Sequence, residues 1–220
     1  MDTSARFWDR IADRYARRPV ADEAAYRTKL AKTREYLRPD MEVLELGCGT
    51  GSTALEHAPH VAHIRAVDIS SRMIAIARDK ADAAGVTNVV FEVAGIDDLE
   101  VPDGSLDVVL ALSLLHLVED AGALLARIHR MLKPGGLLVT STPCIGDSWA
   151  TAAVVRVVRA VGGRLGLVPR VIEVFSLDAL LATMRGAGFE IEHQWRPSPD
   201  KAAFVVARRP LHRGRTNSGY

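Results

Sequence analysis

The 220-residue sequence has few cysteines, almost no net charge and no long apolar run. Its two cysteines, Cys48 and Cys144, are too few for a disulfide framework and too far apart for a metal-binding knuckle. The 28 basic and 27 acidic side chains leave a formal charge of +1, which provides no basic surface for nucleic acid as a primary partner. No window reaches the ~18 uninterrupted apolar residues of a membrane span, and the first residues lack the apolar stretch of a signal peptide. We therefore expect a cytoplasmic protein.

The sequence does contain a regular alternation of apolar strands with helical patterns, which is typical of a mostly parallel α/β sheet. Five strands are predicted over 42–46, 64–69, 89–94, 106–112 and 137–142. The helices between and after them are predicted over 52–58, 71–85, 119–132 and 176–189. Two closing strands, 190–197 and 201–209, are joined by Pro-Ser-Pro-Asp, which is too short for anything but an antiparallel hairpin.

Three segments flank or interrupt this alternation. Residues 1–38 are predicted to form a helical cap, and 210–220 a flexible basic tail, so that 1–209 make one domain. The insertion at 148–175 carries valines and arginines with no acid between Asp147 and Glu173. It is either a lid packed on the sheet edge, or a basic and apolar surface that contacts an amphiphilic acceptor or membrane lipid.

The first strand runs into a glycine-rich turn. Gly47, Gly49 and Gly51 leave no side chain in the way of a ligand and tolerate positive φ. They are spaced more tightly than the glycines of a pyrophosphate-binding G-x-G-x-x-G, and Glu45 precedes them by two residues. A carboxylate beside three close glycines suits a short zwitterionic group better than two phosphates.

The next three strands also end at polar side chains. The carboxylate of Asp68 could accept hydrogen bonds from both hydroxyls of a ribose, and Asp97 could accept one from an exocyclic amine such as that of adenine. Ser113 and His116 follow the fourth strand. Because ligands of such sheets bind beyond the carboxyl ends of the strands, these groups together indicate S-adenosylmethionine rather than a dinucleotide.

The pattern resembles the class I S-adenosylmethionine-dependent methyltransferases of the small, single-domain type that act on small molecules. The motifs E-x-G-x-G-x-G (45–51), VDIS with Asp68, AGIDD (94–98) and LKPGGLLV (132–139) fall in the order of that family. The resemblance covers roughly Phe7 to Arg209 and implies a doubly wound, seven-stranded sheet of order 3-2-1-4-5-7-6 with strand 7 antiparallel. It also implies that the cofactor is bound by Tyr15, Glu45, Gly47, Cys48, Gly49, Gly51, Asp68, Ile69, Met73, Ile96, Asp97, Leu112 and Ser113.

Within that set the resemblance suggests individual roles. Glu45 would order the amino group of the methionine part, often through water, and Asp68 would hold the ribose. Ile96 and Asp97 would meet the edge of the adenine, and Tyr15 would close over the cofactor. S-adenosyl-L-homocysteine would be the product.

His116 is the candidate catalytic residue, because a neutral imidazole could take a proton from the acceptor. A histidine at this place could equally pack beneath the pocket, and the sequence leaves both interpretations open. The expected acceptor is a small, apolar or amphiphilic organic molecule. Its pocket is predicted to lie between the helices at 5–37 and the lid and to contain Tyr15, Tyr26, His116, Trp149 and Phe175.

The sequence also contains features that could suggest a metal site, a nucleophilic thiol or another function. His57, His60 and His63 lack an accompanying carboxylate or thiol, so we predict a surface connection and no metal site. Neither cysteine has the neighbours of an activated nucleophile. A non-catalytic S-adenosylmethionine-binding regulator and a nicotinamide-dependent oxidoreductase are the alternative functions, and the sequence fits a monomer or a homodimer.

Overall fold

The computed structural model describes residues 3–147 and 171–211. The strands, in chain order, are β1 (Glu42–Leu46), β2 (His63–Asp68), β3 (Val89–Val93), β4 (Leu106–Leu112), β5 (Leu132–Pro143), β6 (Glu190–Trp195) and β7 (Ala202–Arg208). The α-helices are α1 (Thr3–Arg17), α2 (Glu23–Arg34), α3 (Ser52–His57), α4 (Ser71–Ala84), α5 (Ala121–Met131) and α6 (Leu177–Gly186).

The seven strands form one sheet in the order β3-β2-β1-β4-β5-β7-β6. The strands from β1 to β5 pair in parallel, and β7 pairs antiparallel with both β5 and β6. The predicted doubly wound sheet, its strand order and its antiparallel hairpin are therefore confirmed. The parallel strands bring their carboxyl ends to one edge of the sheet.

Several helix ends follow local sequence signals. The side chains of Asp22, Ser70, Asp120 and Ser176 each accept a hydrogen bond from a backbone amide in the first turn of α2, α4, α5 and α6, respectively. This satisfies a donor that the helix itself leaves unpaired. Gly85 ends α4 in the left-handed conformation, with φ of 64°. These caps fix where each helix begins or ends relative to the sheet.

The start of β5 differs from its prediction. Pairing with β4 begins at Leu132, opposite Leu106, and resumes at Leu137, opposite Val108. Residues 133–136 bulge out between these pairs, and Gly135 adopts a positive φ of 81°. The Lys-Pro-Gly-Gly run thus ends α5 as expected, but it interrupts a strand that has already begun.

Two apolar layers cover the two faces of the sheet. One contains side chains of α5 and α6 with Leu44, Val109 and Leu138, and the other contains side chains of α3 and α4 with Val43, Leu110 and Val139. Because side chains alternate along a strand, neighbouring residues of one strand enter opposite layers. Both faces are buried, as a parallel sheet requires.

Two predicted segments fall largely beyond the described residues. Of the lid at 148–175, the structure describes only 171–175, which form no helix or strand. Of the tail at 210–220, it describes only Pro210 and Leu211. Among the helices in the described ranges, none is long and apolar enough to cross a membrane.

Candidate functional site

A cleft of about 1210 Å³ lies at the carboxyl ends of the parallel strands. It exceeds the roughly 300–1,000 Å³ of an ordinary small-molecule site, so it has room for more than one ligand. Eleven of the residues proposed from the sequence line it: Tyr15, Gly47, Gly49, Asp68, Ile69, Met73, Ile96, Asp97, Leu112, Ser113 and His116. The fold therefore brings together groups that are up to 101 positions apart in the chain, from Tyr15 to His116.

The three glycines of the turn after β1 have different surroundings. All three have positive φ, between 53° and 73°. A Cβ atom on Gly49 would meet no atom within 4 Å, so this side of the loop is open to the cleft. A Cβ atom on Gly51 would lie 2.7 Å from the ring of Phe91 and 2.8 Å from Ala77. Gly51 is needed for close packing against α4 and β3, and it does not line the cleft.

Asp68 holds the glycine turn from the end of β2. Its Oδ2 accepts a hydrogen bond of 2.9 Å from the amide of Gly49, and its Oδ1 accepts one of 2.9 Å from the amide of Ser70. Burial raises the pKa of this carboxyl, and the two amides oppose that change. Each oxygen keeps a second lone pair, so the same group can accept hydrogen bonds from a diol in the cleft.

Lys80 supports the turn from α4. Its ammonium group donates to the carbonyl oxygen of Thr50 at 3.1 Å, to the hydroxyl of Thr50 at 2.9 Å and to Ser52 Oγ at 3.0 Å. Asp68 and Lys80 together fix the backbone of the turn from two sides.

Glu45 is buried behind the turn and does not line the cleft. Its Oε2 atom has no hydrogen-bond partner among the described residues. Burial, and secondarily the nearby charge of Asp68, raise the pKa of Glu45 to about 8. A buried carboxyl with a free oxygen can receive a hydrogen bond from a cationic group or from water, which fits the predicted role through water better than direct contact.

Cys48 also lies outside the cleft lining, although the sequence placed it among the cofactor-binding residues. It belongs to the apolar layer over β1, with Met41, Val43 and Ala54. Burial raises the pKa of its thiol well above the ordinary value, and burial raises that of Cys144 as well. Both thiols are therefore protonated at neutral pH and poorly suited to act as nucleophiles.

One wall of the cleft is formed by α1. Ser4, Trp8 and Tyr15 lie on one face of this helix at spacings of four and seven residues, and all three line the cleft. Only Tyr15 was predicted, although the helical spacing could have identified Trp8. Asp9 joins α1 to the start of α4, because its Oδ1 accepts from the hydroxyl of Ser70 at 2.7 Å and from the amide of Arg72 at 3.0 Å.

The end of β4 contributes Ser113 and His116. Ser113 is the one non-glycine residue of the described chain with a positive φ, 56°, and its amide donates to the carbonyl of Ser141 at 2.7 Å. Burial lowers the pKa of His116 to about 4, so its imidazole is neutral at physiological pH. Its Nδ1 has no hydrogen-bond partner within the described ranges. Because Nδ1 is buried, a proton from an acceptor in the cleft would have to reach the other ring nitrogen, Nε2.

Part of the lining of the cleft is apolar. The segments after β4 and β5 and residue 172 contribute the apolar side chains Leu117, Val118, Pro143, Ile145 and Ile172, and Glu119 and Asp120 line the same cleft. Two aromatic residues expected there are elsewhere: Phe175 is buried in the apolar layer with α5 and α6, and Tyr26 does not line the cleft. Trp149 is outside the described residues.

The prediction of a surface connection for the three histidines is wrong at His57. This side chain is 1% exposed at the end of α3, and neither ring nitrogen has a partner in the described part of the chain. Burial, followed by the charges of Arg34 and His60, lowers its pKa to about 4. No helical periodicity in the sequence indicates this burial, because Pro59 follows two residues later.

The arrangement fits S-adenosylmethionine on three structural observations. Space is open at Gly49 for close approach of a ligand, Asp68 offers a carboxylate to a diol, and Glu45 carries a free buried oxygen behind the turn. Ile96 and Asp97 line the same cleft after β3, where they can meet a base.

Comparison with known proteins is consistent with this geometry. Residues 43–136 match the family model described as a methyltransferase domain. The chain is 35% identical over 176 residues to 27-O-demethylrifamycin SV methyltransferase of Amycolatopsis mediterranei, covering 76% of this chain and 62% of that one. It is 34% identical over 106 residues to the ubiquinone/menaquinone biosynthesis C-methyltransferase of Vibrio vulnificus, covering 46% and 41%. The chain thus spans less than two thirds of the length of either curated relative.

A solved structure extends the likeness over the whole fold. The S-adenosylmethionine-dependent methyltransferase of Mesorhizobium loti superposes with a TM-score of 0.67 at 25% sequence identity, covering 86% of this chain and 99% of that one. The shared sheet order, the methyltransferase domain over 43–136 and this superposition agree. Residues 43–136 therefore match a methyltransferase domain, and the fold around them is that of a solved S-adenosylmethionine-dependent methyltransferase.

Proposed function

We propose that this protein uses S-adenosylmethionine to methylate a small organic acceptor that is apolar or amphiphilic. The observation that carries the proposal is that one cleft is lined both by the glycine turn and Asp68 and by the apolar side chains that follow His116 in the chain. S-adenosylmethionine supplies a methyl group on a sulfonium, which is already activated for displacement. The main task of the chain is then to bind both molecules, orient them and exclude water.

The lining residues divide into two groups under this proposal. Asp68 binds the ribose, the amides of the glycine turn face the methionine part, and Ile96 and Asp97 meet the adenine. His116 lines the same cleft, and its neutral imidazole accepts a proton from the acceptor. Leu117, Val118, Pro143, Ile145 and Ile172 bury the body of the acceptor.

The character of the acceptor is supported by the apolar lining and by the names of the relatives. The two curated relatives are methyltransferases that their names connect with a rifamycin and with quinone biosynthesis, both small organic molecules. A nicotinamide-dependent oxidoreductase is not favoured, because the matched domain is a methyltransferase domain. A regulator that binds the cofactor without turnover shares the same site and is distinguished only by activity.

Calorimetric titration with S-adenosylhomocysteine, with NADH in parallel, tests the cofactor. We expect micromolar affinity for S-adenosylhomocysteine alone. Asp68→Asn removes the charge that receives the ribose and is expected to weaken that binding by more than tenfold, since hydrogen bonds to charged groups contribute about 1.5–3 kcal/mol.

Asp107→Asn is the matched control, because Asp107 bonds to Glu42 and Lys133 and does not line the cleft. It should leave the affinity unchanged. Preference for NADH would disprove the cofactor assignment, and equal affinity in the Asp68 variant would disprove the ribose assignment. If the protein binds S-adenosylhomocysteine but methylates no apolar acceptor in a broad screen, the alternative of a non-catalytic regulator would be favoured.

A further inference from the structure

Arg127 connects α5 to the loop that follows β3. Its Nη1 donates a hydrogen bond of 2.5 Å to the carbonyl oxygen of Ile96, and its Nη2 donates to the carbonyl oxygen of Leu99. Arg127 itself lines the cleft, next to the part where Ile96 and Asp97 lie. One guanidinium group therefore spans the segment that carries Asp97.

The loop is anchored at its two ends by other contacts. The amide of Ala94 donates to the carbonyl of Asp68 at 3.0 Å, and Leu99 is buried in the layer with α5. Arg65, on β2, donates from Nη1 to the carbonyl of Glu100 at 3.0 Å. Between these anchors Asp97 is exposed and belongs to no helix or strand, so its position depends on how the backbone at Ile96 is held.

The chemistry of arginine suits this role. The guanidinium is planar, permanently charged and carries donors that diverge at a fixed angle, so it can bind two carbonyl groups at once. A lysine at the same place would keep the charge and the aliphatic stem but would present a single ammonium centre. Hydrogen bonds from a charged donor are stronger than neutral ones.

We propose that Arg127 is a positioning residue for adenine recognition, which holds the carbonyl of Ile96 and thereby sets Asp97 at the edge of the base. The inference rests on the proposed function, since it assumes that this part of the cleft receives the adenine of S-adenosylmethionine. Arg127 lies on α5, outside every motif that the sequence shares with the methyltransferases. The inference also predicts that selectivity for adenine over other nucleobases depends on Arg127, which acts through the loop after β3.

The test compares S-adenosylhomocysteine with S-inosylhomocysteine, in which an oxo group replaces the 6-amino group of adenine. Wild type should prefer the adenine compound, because a carboxylate accepts from an amine and is repelled by a carbonyl. Arg127→Met should bind S-adenosylhomocysteine about tenfold more weakly while its affinity for the inosine compound changes little, so that the preference falls. Arg127→Lys should recover part of the preference. Both affinities are measured by calorimetry.

Arg65→Met is the matched control, since Arg65 contacts the same loop at Glu100 and pairs with Glu92 but does not line the cleft. It should keep the wild-type preference. Unchanged preference in Arg127→Met overturns the inference while leaving the proposed function intact. If Arg127→Met does not fold, an unchanged preference in Arg127→Lys overturns it instead. Failure of wild type to bind S-adenosylhomocysteine overturns the proposed function and this inference together.

Discussion

His116 illustrates how burial sets the chemistry of a single side chain in this protein. A histidine that is ordinary in water would be partly charged near neutral pH, whereas burial lowers the pKa of this one to about 4. If it accepts the proton of the acceptor, kcat/KM should fall only as the pH drops toward about 4, because the imidazole must be neutral to act. A pH profile whose acid limb lies near 6.5 would contradict this assignment.

Replacement of His116 tests the same role independently of pH. His116→Gln should leave the affinity for S-adenosylhomocysteine unchanged and lower turnover by about 10²-fold or more, the usual contribution of a general base. The measurement is single-turnover methylation beside a binding titration. Full activity in the variant would show that His116 packs beneath the pocket and takes no part in proton transfer.

Ser113 bears a local strain at the end of β4. Left-handed backbone costs a residue with a Cβ atom roughly 1–2 kcal/mol, and more if the side chain is branched at Cβ. Ser113→Val should therefore be less stable than Ser113→Gly by about 1–2 kcal/mol, as measured by urea unfolding. Both variants keep the amide that donates to Ser141, so equal stabilities would show that φ at this position relaxes freely.

At the scale of elements, the docking of α1 on α4 forms one wall of the cleft. Asp9 accepts from Ser70 and from the amide of Arg72, at the start of α4, where a negative charge is also favoured by the helix dipole. Asp13 instead makes a solvent-exposed ion pair with Arg72. Pairs of that kind contribute little, because water and salt screen them.

The two aspartates should consequently differ in effect. Asp9→Ala should increase hydrogen exchange of the α1 amides and weaken binding of S-adenosylhomocysteine about fivefold, since a capping contact contributes on the order of 1 kcal/mol. Asp13→Ala is the control and should change neither measurement appreciably. If Asp9→Ala also changed neither measurement, α1 would be held by its apolar side chains alone.

At the scale of the whole molecule, His57 links folding to pH. Its pKa is lowered to about 4 in the folded state, so the unfolded chain binds a proton first as the pH falls below about 6.5. The stability that depends on neutral His57 is complete above pH 6.5 and decreases between about 6.5 and 4, by at most about 3 kcal/mol. Glu45, whose folded pKa is raised to about 8, has the opposite dependence: its contribution decreases as the pH rises from about 4.5 to 8.

The contribution of His57 is isolated by comparing how the free energy of unfolding depends on pH in wild type and in His57→Leu, since the other titrating groups are the same in both. Denaturant unfolding at several pH values between 4 and 7.5 should show a shallower acid loss of stability in the variant. Parallel pH dependences would mean that His57 can gain a proton without leaving the folded state.

Local sequence features were sufficient to predict much of this protein. Apolar periodicity located the strands, Ser176 caps the start of α6 and Gly85 ends α4, because each depends on groups a few residues apart. The spacing of the glycine turn and Asp68 likewise indicated the kind of ligand before any tertiary contact was known. The strand order came from resemblance, and the sheet confirms it.

Tertiary structure alone decided which of these residues face the cleft. Gly51, Cys48 and Glu45 share a motif with Gly47 and Gly49, yet they do not line the cleft: Gly51 packs against Phe91, Cys48 lies in the apolar layer and Glu45 is buried. Arg127 reaches the loop after β3 only because α5 lies beside that loop in space, 28 residues from Leu99 in the chain. A sequence motif determines spacing along the backbone, whereas the direction of each side chain depends on neighbours that folding brings from distant parts of the chain.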